Sequence, residues 1–199
     1  MKKGIIAIII LIVLGVIIGG WYIRTNNMLV DMKGQATKQW ANVESSYQRR
    51  SDLIGNLVKT VQGAADFERE TLTEVIEARA KATSTTIDAN NLTAEQLAEF
   101  QQAQTGLSSA LSRLLVSVER YPELKANQNF LELQSQLEGT ENRINVERNR
   151  FNDLAGEYNI RIKQIPTNII ASLANFDEMA LFASNPGSEN APDVNFDFE

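Results

Sequence analysis

The 199-residue chain has no cysteine and no histidine. Without cysteine there is no disulfide framework, thiol nucleophile, Cys-ligated zinc, iron–sulfur cluster or lipidated cysteine. Without histidine, the usual general base and the commonest transition-metal ligand are missing as well. Proline is scarce, with four residues and none before Pro122, so no ring interrupts a helix in the first 121 positions. No stretch sustains the polar/apolar alternation of a half-buried strand. There is no P-loop, dinucleotide fingerprint or Gly-x-Ser-x-Gly elbow. Asp66-Phe67-Glu68-Arg69-Glu70 and the acidic C-terminus do not have the ligand spacing of an EF-hand loop. Basic residues are in deficit, 19 against 25 acidic for a net charge of −6, which argues against a nucleic-acid partner. Carboxylate, Lys, Ser or Tyr chemistry remains, or none, so no catalytic residue, metal site or cofactor is assigned.

A long apolar run is present. Gly4 to Ile23 carries no charge and is mostly Ile, Val and Leu. Twenty residues at ~1.5 Å each span ~30 Å, the hydrocarbon thickness of a bilayer. Trp21 and Tyr22 close the run, where amphipathic rings favour the headgroup layer. A cleaved signal peptide would also begin with Lys2 and Lys3, but its apolar region is shorter, and Trp21-Tyr22-Ile23 fill the place of a small-residue cleavage site. Residues 1–24 therefore read as an uncleaved membrane anchor, with the bilayer as partner through residues 4–23. The basic cluster before the run favours a cytoplasmic N-terminus and an extracytoplasmic body. Gly15 and Gly19 have the small-xxx-small spacing that lets two membrane helices approach closely.

Residues 25–183 read as a helical body. Steps of seven from Trp40 give Tyr47, Ile54 and Val61, and beyond them Val75. Three- and four-residue steps from Leu97 give Phe100, Gln104, Leu107, Leu111, Leu114 and Val118. Steps of seven from Phe130 give Leu137, Ile144, Phe151, Tyr158 and Ile165. These are the seams of helices packed at shallow angles. They predict long helices over 28–82, 94–120 and 127–164, with bends possible at Gly55 and Gly63. Thr93-Ala94-Glu95-Gln96 is a capping box, Pro122 and Pro166 mark ends, and Thr167 is expected to cap a short fourth helix carrying Ile169, Ile170, Leu173 and Phe176. The fold class is all-α: an N-terminal transmembrane helix followed by an antiparallel bundle of long helices. Residues 184–199, acidic and rich in helix breakers, predict a flexible tail.

Polar residues occupy seam positions that call for apolar ones: Arg50 in the first helix, and Thr140, Glu147 and Arg161 in the third. Near them lie Arg49, Asp52, Glu141, Asn142, Arg143, Arg148, Asn152 and Asn159. Two readings follow, a buried paired set that fixes register or the lining of a ligand site. A di-iron bundle would need Glu-x-x-His pairs. Heptad phase places Arg50 and Glu147 at equivalent positions and predicts ion pairing around them, with Glu141 or Asp52 as alternative partners.

At these residues the chain resembles the LemA family of bacterial membrane-anchored proteins. The resemblance runs from the membrane segment to about Phe182. It rests on Trp40, Arg49-Arg50-Ser51-Asp52-Leu53-Ile54-Gly55-Asn56-Leu57-Val58, Tyr121-Pro122-Glu123-Leu124-Lys125-Ala126-Asn127, Leu137-Glu138-Gly139-Thr140-Glu141-Asn142-Arg143-Ile144, Arg148, Phe151-Asn152, Tyr158-Asn159 and Pro166. Gly55 stands where the family has Pro, and Ile165 where an aromatic precedes the Pro. The resemblance implies a membrane helix and a bundle of long helices, and it carries over no catalytic residue. The expectation is a non-enzymatic structural or protein-interaction module at the bacterial envelope. It would pair with its own copies, since Ile160, Ile162, Leu115 and Val116 flank the seams, or with another envelope protein. The alternative is a membrane-tethered sensor holding a small ligand among the bundle's polar residues.

Overall fold

The computed structural model describes residues 2–63, 68–85 and 87–183, apart from the side chains of Lys2, Lys3 and Asn90. The expected C-terminal tail and the Asp66–Phe67 stretch lie outside the described residues. The described chain forms six α-helices: α1 (Lys2–Gln62), α2 (Arg69–Ser84), α3 (Ala94–Val118), α4 (Pro122–Lys125), α5 (Gln128–Lys163) and α6 (Thr167–Leu173), with a 3₁₀ turn at Ala89–Asn91 before α3.

α1 runs 61 residues without interruption, about 90 Å at ~1.5 Å per residue. Its lower third is apolar on every face and exposed, with mean hydropathy 2.8 in its most apolar window, and is long and apolar enough to cross a membrane. Burial starts at Thr25 and then recurs at helical spacing through Leu29, Ala36, Trp40, Val43, Tyr47, Arg50, Ile54, Leu57 and Val61. One helix thus supplies both the apolar span and the central seam of the bundle.

The expected helix over 28–82 is two helices. α1 stops at Gln62, Gly63 is a turn, and α2 begins at Arg69 and folds back along α1. Of the two glycines, Gly63 is where the helix ends, whereas Gly55 sits inside continuous helix. A Cβ on Gly55 would lie 3.3 Å from the Arg79 guanidinium carbon. Gly55 therefore clears space for Arg79, whose Nε donates to the Ser51 carbonyl at 2.8 Å.

α3 keeps the Thr93/Gln96 capping box, and Asn127 caps α5 by accepting from the amides of Asn129 and Phe130. Thr167 is no cap: Pro166 holds that place, and Thr167 is buried at the first helical position. Phe176 lies beyond α6, which ends before Asn175 in the left-handed conformation, stopped by the Phe176 amide bonding back to the Ala171 carbonyl.

The four long helices alternate in direction. Arg113–Glu74 and Gln104–Ala82 set α3 antiparallel to α2, and Gln39–Glu147 and Arg50–Glu141 set α5 antiparallel to α1. Two apolar clusters result. The far one joins Ile54, Leu57, Val61, Val75, Leu107, Leu114 and Leu137. The near one, towards the apolar span, joins Leu29, Trp40, Val43, Phe100, Ile144, Phe151 and Tyr158 with Met179 and Phe182 from the segment after α6.

Candidate functional site

A polar layer sits where the two clusters meet. Arg50, 4% exposed, follows Tyr47 of one cluster and precedes Leu53 of the other. Its Nη1 donates to Glu141 Oε2 at 2.8 Å and to Ser108 Oγ at 3.2 Å. Its Nη2 donates to Gln104 Oε1 at 2.5 Å, and the guanidinium carbon lies 5.0 Å from the Tyr47 ring centroid. Gln104 is oriented from behind by its own bond to the Ala82 carbonyl. A cleft of about 580 Å³ opens beside this layer, lined by Tyr47, Arg50, Gln104, Glu141 and Arg148 among others. Arg50 Nε is buried without a hydrogen-bond partner. Burial raises the pKa of the Tyr47 hydroxyl, with Arg148 and Arg50 pulling the other way.

Glu147 makes a separate group. It is 6% exposed and accepts from Gln39 Nε2 at 2.7 Å, while Arg143 and Arg150 approach at 3.8 and 3.7 Å. Arg50 and Glu147 are therefore not partners: α5 is offset so that Glu141 meets Arg50 and Glu147 lies two turns further along, beside Gln39. Asp52 points outward to Arg79 at 3.7 Å. Arg49 and Asn142 are exposed and belong to neither group.

Arg148, Asn152 and Asn159 do something else. They hold the chain's own segment after α6. Asn159 Nδ2 donates to the Met179 carbonyl at 2.8 Å and its Oδ1 accepts from the Met179 amide at 2.9 Å. Asn152 does the same to Phe182, both bonds at 2.9 Å. Seven helical residues advance ~10.5 Å and three extended residues ~10 Å, so the two clamps are in register with an extended strap. The Tyr158 hydroxyl donates to the Asp177 carbonyl at 2.9 Å. Burial pushes that hydroxyl's pKa up to about 12, with Asp177 adding to the rise. Phe182 stacks on Trp40 at 5.6 Å, meets Phe151 edge-on at 5.8 Å, and lies 4.5 Å under the Arg148 guanidinium.

The twelve polar positions that the sequence singles out thus do not form one site. Arg50 and Glu141 make a register layer, Glu147 and Arg143 a second group, and Arg148, Asn152 and Asn159 the strap clamp. Arg49, Asp52, Thr140, Asn142 and Arg161 lie outside all three. Gln39, Gln104, Ser108 and Tyr158 were missed as site residues, as were Met179 and Phe182. The signal for the clamp lay in Asn152 and Asn159, seven apart on one face. Gly15 and Gly19 face open space, with nothing within 4 Å of a Cβ at either.

The LemA family profile matches residues 39–196, which takes in the register layer and both clamps. The chain belongs to the LemA family. Among LemA-family relatives, magnetosome protein MamQ of Magnetospirillum gryphiswaldense is 27% identical over 180 residues, covering 82% of this chain and 66% of that protein. Magnetosome protein MamQ 2 of Paramagnetospirillum magneticum matches to the same extent. Protein LemA of Metamycoplasma hominis is 21% identical over 164 residues, 82% of this chain and 71% of that protein. The chain spans 66% of the length of the MamQ proteins.

Proposed function

We propose that this LemA-family chain is a membrane-anchored structural or interaction module at the bacterial cell envelope, with its body on the extracytoplasmic side. The continuity of α1 carries the reading. A helix unbroken from the apolar span into the fully buried Leu29 and Trp40 couples the bundle to the bilayer without a flexible linker, as a scaffold requires. The buried polar groups support it, since they bond to one another and to the chain's own backbone, fixing register and strap. The family profile over most of the body fits the same role.

Membranes washed with alkaline carbonate, then solubilised and passed over tagged full-length chain, test this. Retention in the membrane with a stoichiometric partner, a second copy or another envelope protein, is the expected result. Release by carbonate, or an intact mass lacking roughly the first 25 residues, as a cleaved leader would give, overturns the anchor.

A second reading, a tethered sensor of a small ligand, is favoured by one observation: the unpartnered Nε of Arg50 beside the 580 Å³ cleft. Saturable thermal stabilisation by a small anion, absent in Arg50→Lys, would support it over scaffolding.

A further inference from the structure

The helix pairings fix where the bundle ends relative to the apolar span. Arg50 meets Glu141 and Met28 meets Arg161 at 3.5 Å, so 22 residues of α1 run alongside 20 of α5 in the opposite direction. α5 ends at Lys163, two residues beyond Arg161 and at about the level of Asn26 at ~1.5 Å per residue, and Ile165 lies in the turn that follows. Thr25 is only 6% exposed, so the bundle packs down to within two residues of Ile23. At this corner three large apolar side chains point outward: Ile165 at 85% exposure, Ile169 at 56% and Leu173 at 71%. They follow one another at four-residue spacing, which places Ile169 and Leu173 on one face of α6 with Ile165 leading into it. The opposite face is committed to the bundle, with Thr167, Ile170 and Ala171 buried.

A short helix in a water-soluble protein normally turns its polar side outward. Here the outward side carries Ile169 and Leu173 beside the exposed polar Asn168 and Ser172, and it starts in the turn at the end of the bundle nearest the apolar span, which Trp21 and Tyr22 close. We propose that the Ile165–Ile169–Leu173 face is a lipid-contact surface, seated in the interface of the bilayer that α1 crosses. This rests on reading Gly4–Ile23 as a membrane span. Apolar side chains entering the headgroup–acyl boundary behave as an interfacial helix does, while Arg24 and the Lys163–Glu178 pair stay in the polar layer. A single helix leaves a body free to tilt and swivel. A second contact beside it holds the bundle at a fixed angle to the membrane.

The chain has no native cysteine, so single-cysteine variants of the full chain take one nitroxide label each. Ile165→Cys, Ile169→Cys and Leu173→Cys report the proposed surface, Ile12→Cys the span, and Val116→Cys, 71% exposed at the far end of α3, the aqueous control. All five side chains are exposed, so labelling leaves the core intact, and circular dichroism checks this. The proteins are reconstituted in phosphatidylcholine–phosphatidylglycerol vesicles, and oxygen accessibility is compared with that of a water-soluble nickel chelate. The expected result is oxygen-favoured labels at Ile165 and Ile169, shallower than Ile12, with Val116 chelate-favoured. Labels at Ile165 and Ile169 matching Val116 while Ile12 stays oxygen-favoured overturn the lipid surface alone. A chelate-favoured label at Ile12 overturns the span, and the surface with it.

Discussion

Arg50 is a buried cation with unequal partners: it is 5% exposed in its side chain, and Glu141 is 50% exposed. Removing each should therefore cost differently. Arg50→Ala leaves Gln104 and a void between two apolar clusters, and is expected to lower stability by ~3–5 kcal/mol, the range for breaking a buried pair. Glu141→Gln keeps an acceptor for Arg50 Nη1 but removes the counter-charge of a buried cation, and should cost about 1–3 kcal/mol. Urea denaturation in detergent compares them, and equal losses would show that the layer is not organised around Arg50. Tyr158 gives a pH signature. Its folded pKa of about 12 stands above the ordinary ~10 of an unfolded tyrosine, so the stability it contributes is complete below pH ~10 and disappears as pH rises towards 12. Tyr158→Phe should lose about 1 kcal/mol at pH 7 from the missing bond to Asp177, and its alkaline fall between pH 10 and 12 should be shallower than the parent's. That seam phase located Arg50 and Glu147 as buried but left the choice of partner open has a simple cause. Heptad position gives the face a residue occupies, whereas its partner depends on the axial offset between helices.

Among the elements, the seams over α3 and α5 were legible to within about two residues, because caps and prolines act locally. The split of α1 from α2 was less so. Glycine permits a turn at both Gly55 and Gly63, and tertiary contact chooses between them. At Gly55 the chosen contact is Arg79. Gly55→Ala in an Arg79→Ala background should raise stability by roughly 1 kcal/mol, the helix-propensity difference, while in the parent the displaced Arg79 should cancel most of that gain. A thermodynamic cycle with no coupling between the two sites would contradict the contact. The strap after α6 was not legible at all as an element, since nothing periodic marks it. It is held by side-chain bonds to backbone, the type that sequence spacing shows only once the partner is known. Asn152→Ala leaves both polar groups of Phe182 without their partner, and a loss of ~1–3 kcal/mol is expected. Amide exchange should accelerate at Met179 and Phe182 before it does in α5. Uniform acceleration throughout α5 would mean the strap is part of the core rather than clamped upon it.

At the scale of the whole molecule, the all-α architecture and the apolar span followed from the sequence because each depends on composition and period over long windows. How the faces of separate helices are shared out did not follow, and it bears on association between copies. Of the flanking residues that suggested a self-interface, Ile162 is buried and Leu115 packs against the far cluster, whereas Val116 and Ile160 are exposed. The bundle therefore offers a reduced apolar surface for pairing, and the span becomes the stronger place to look. Gly15 and Gly19 lie one turn apart, and a Cβ added at either would have nothing within 4 Å beyond its own stretch of helix. Leucine there cannot strain a single copy. Any loss of association in Gly15→Leu/Gly19→Leu must come from a helix of another copy that approached closely, favoured by confinement of anchored copies to one surface. Native mass spectrometry of the full chain in mild detergent is expected to show a homo-oligomer for the parent and monomer for the double variant, with circular dichroism unchanged. A parent that is monomeric at every concentration would end the idea of a self-assembling anchor. An oligomer that survives both leucines would move the contact to the exposed faces of the bundle.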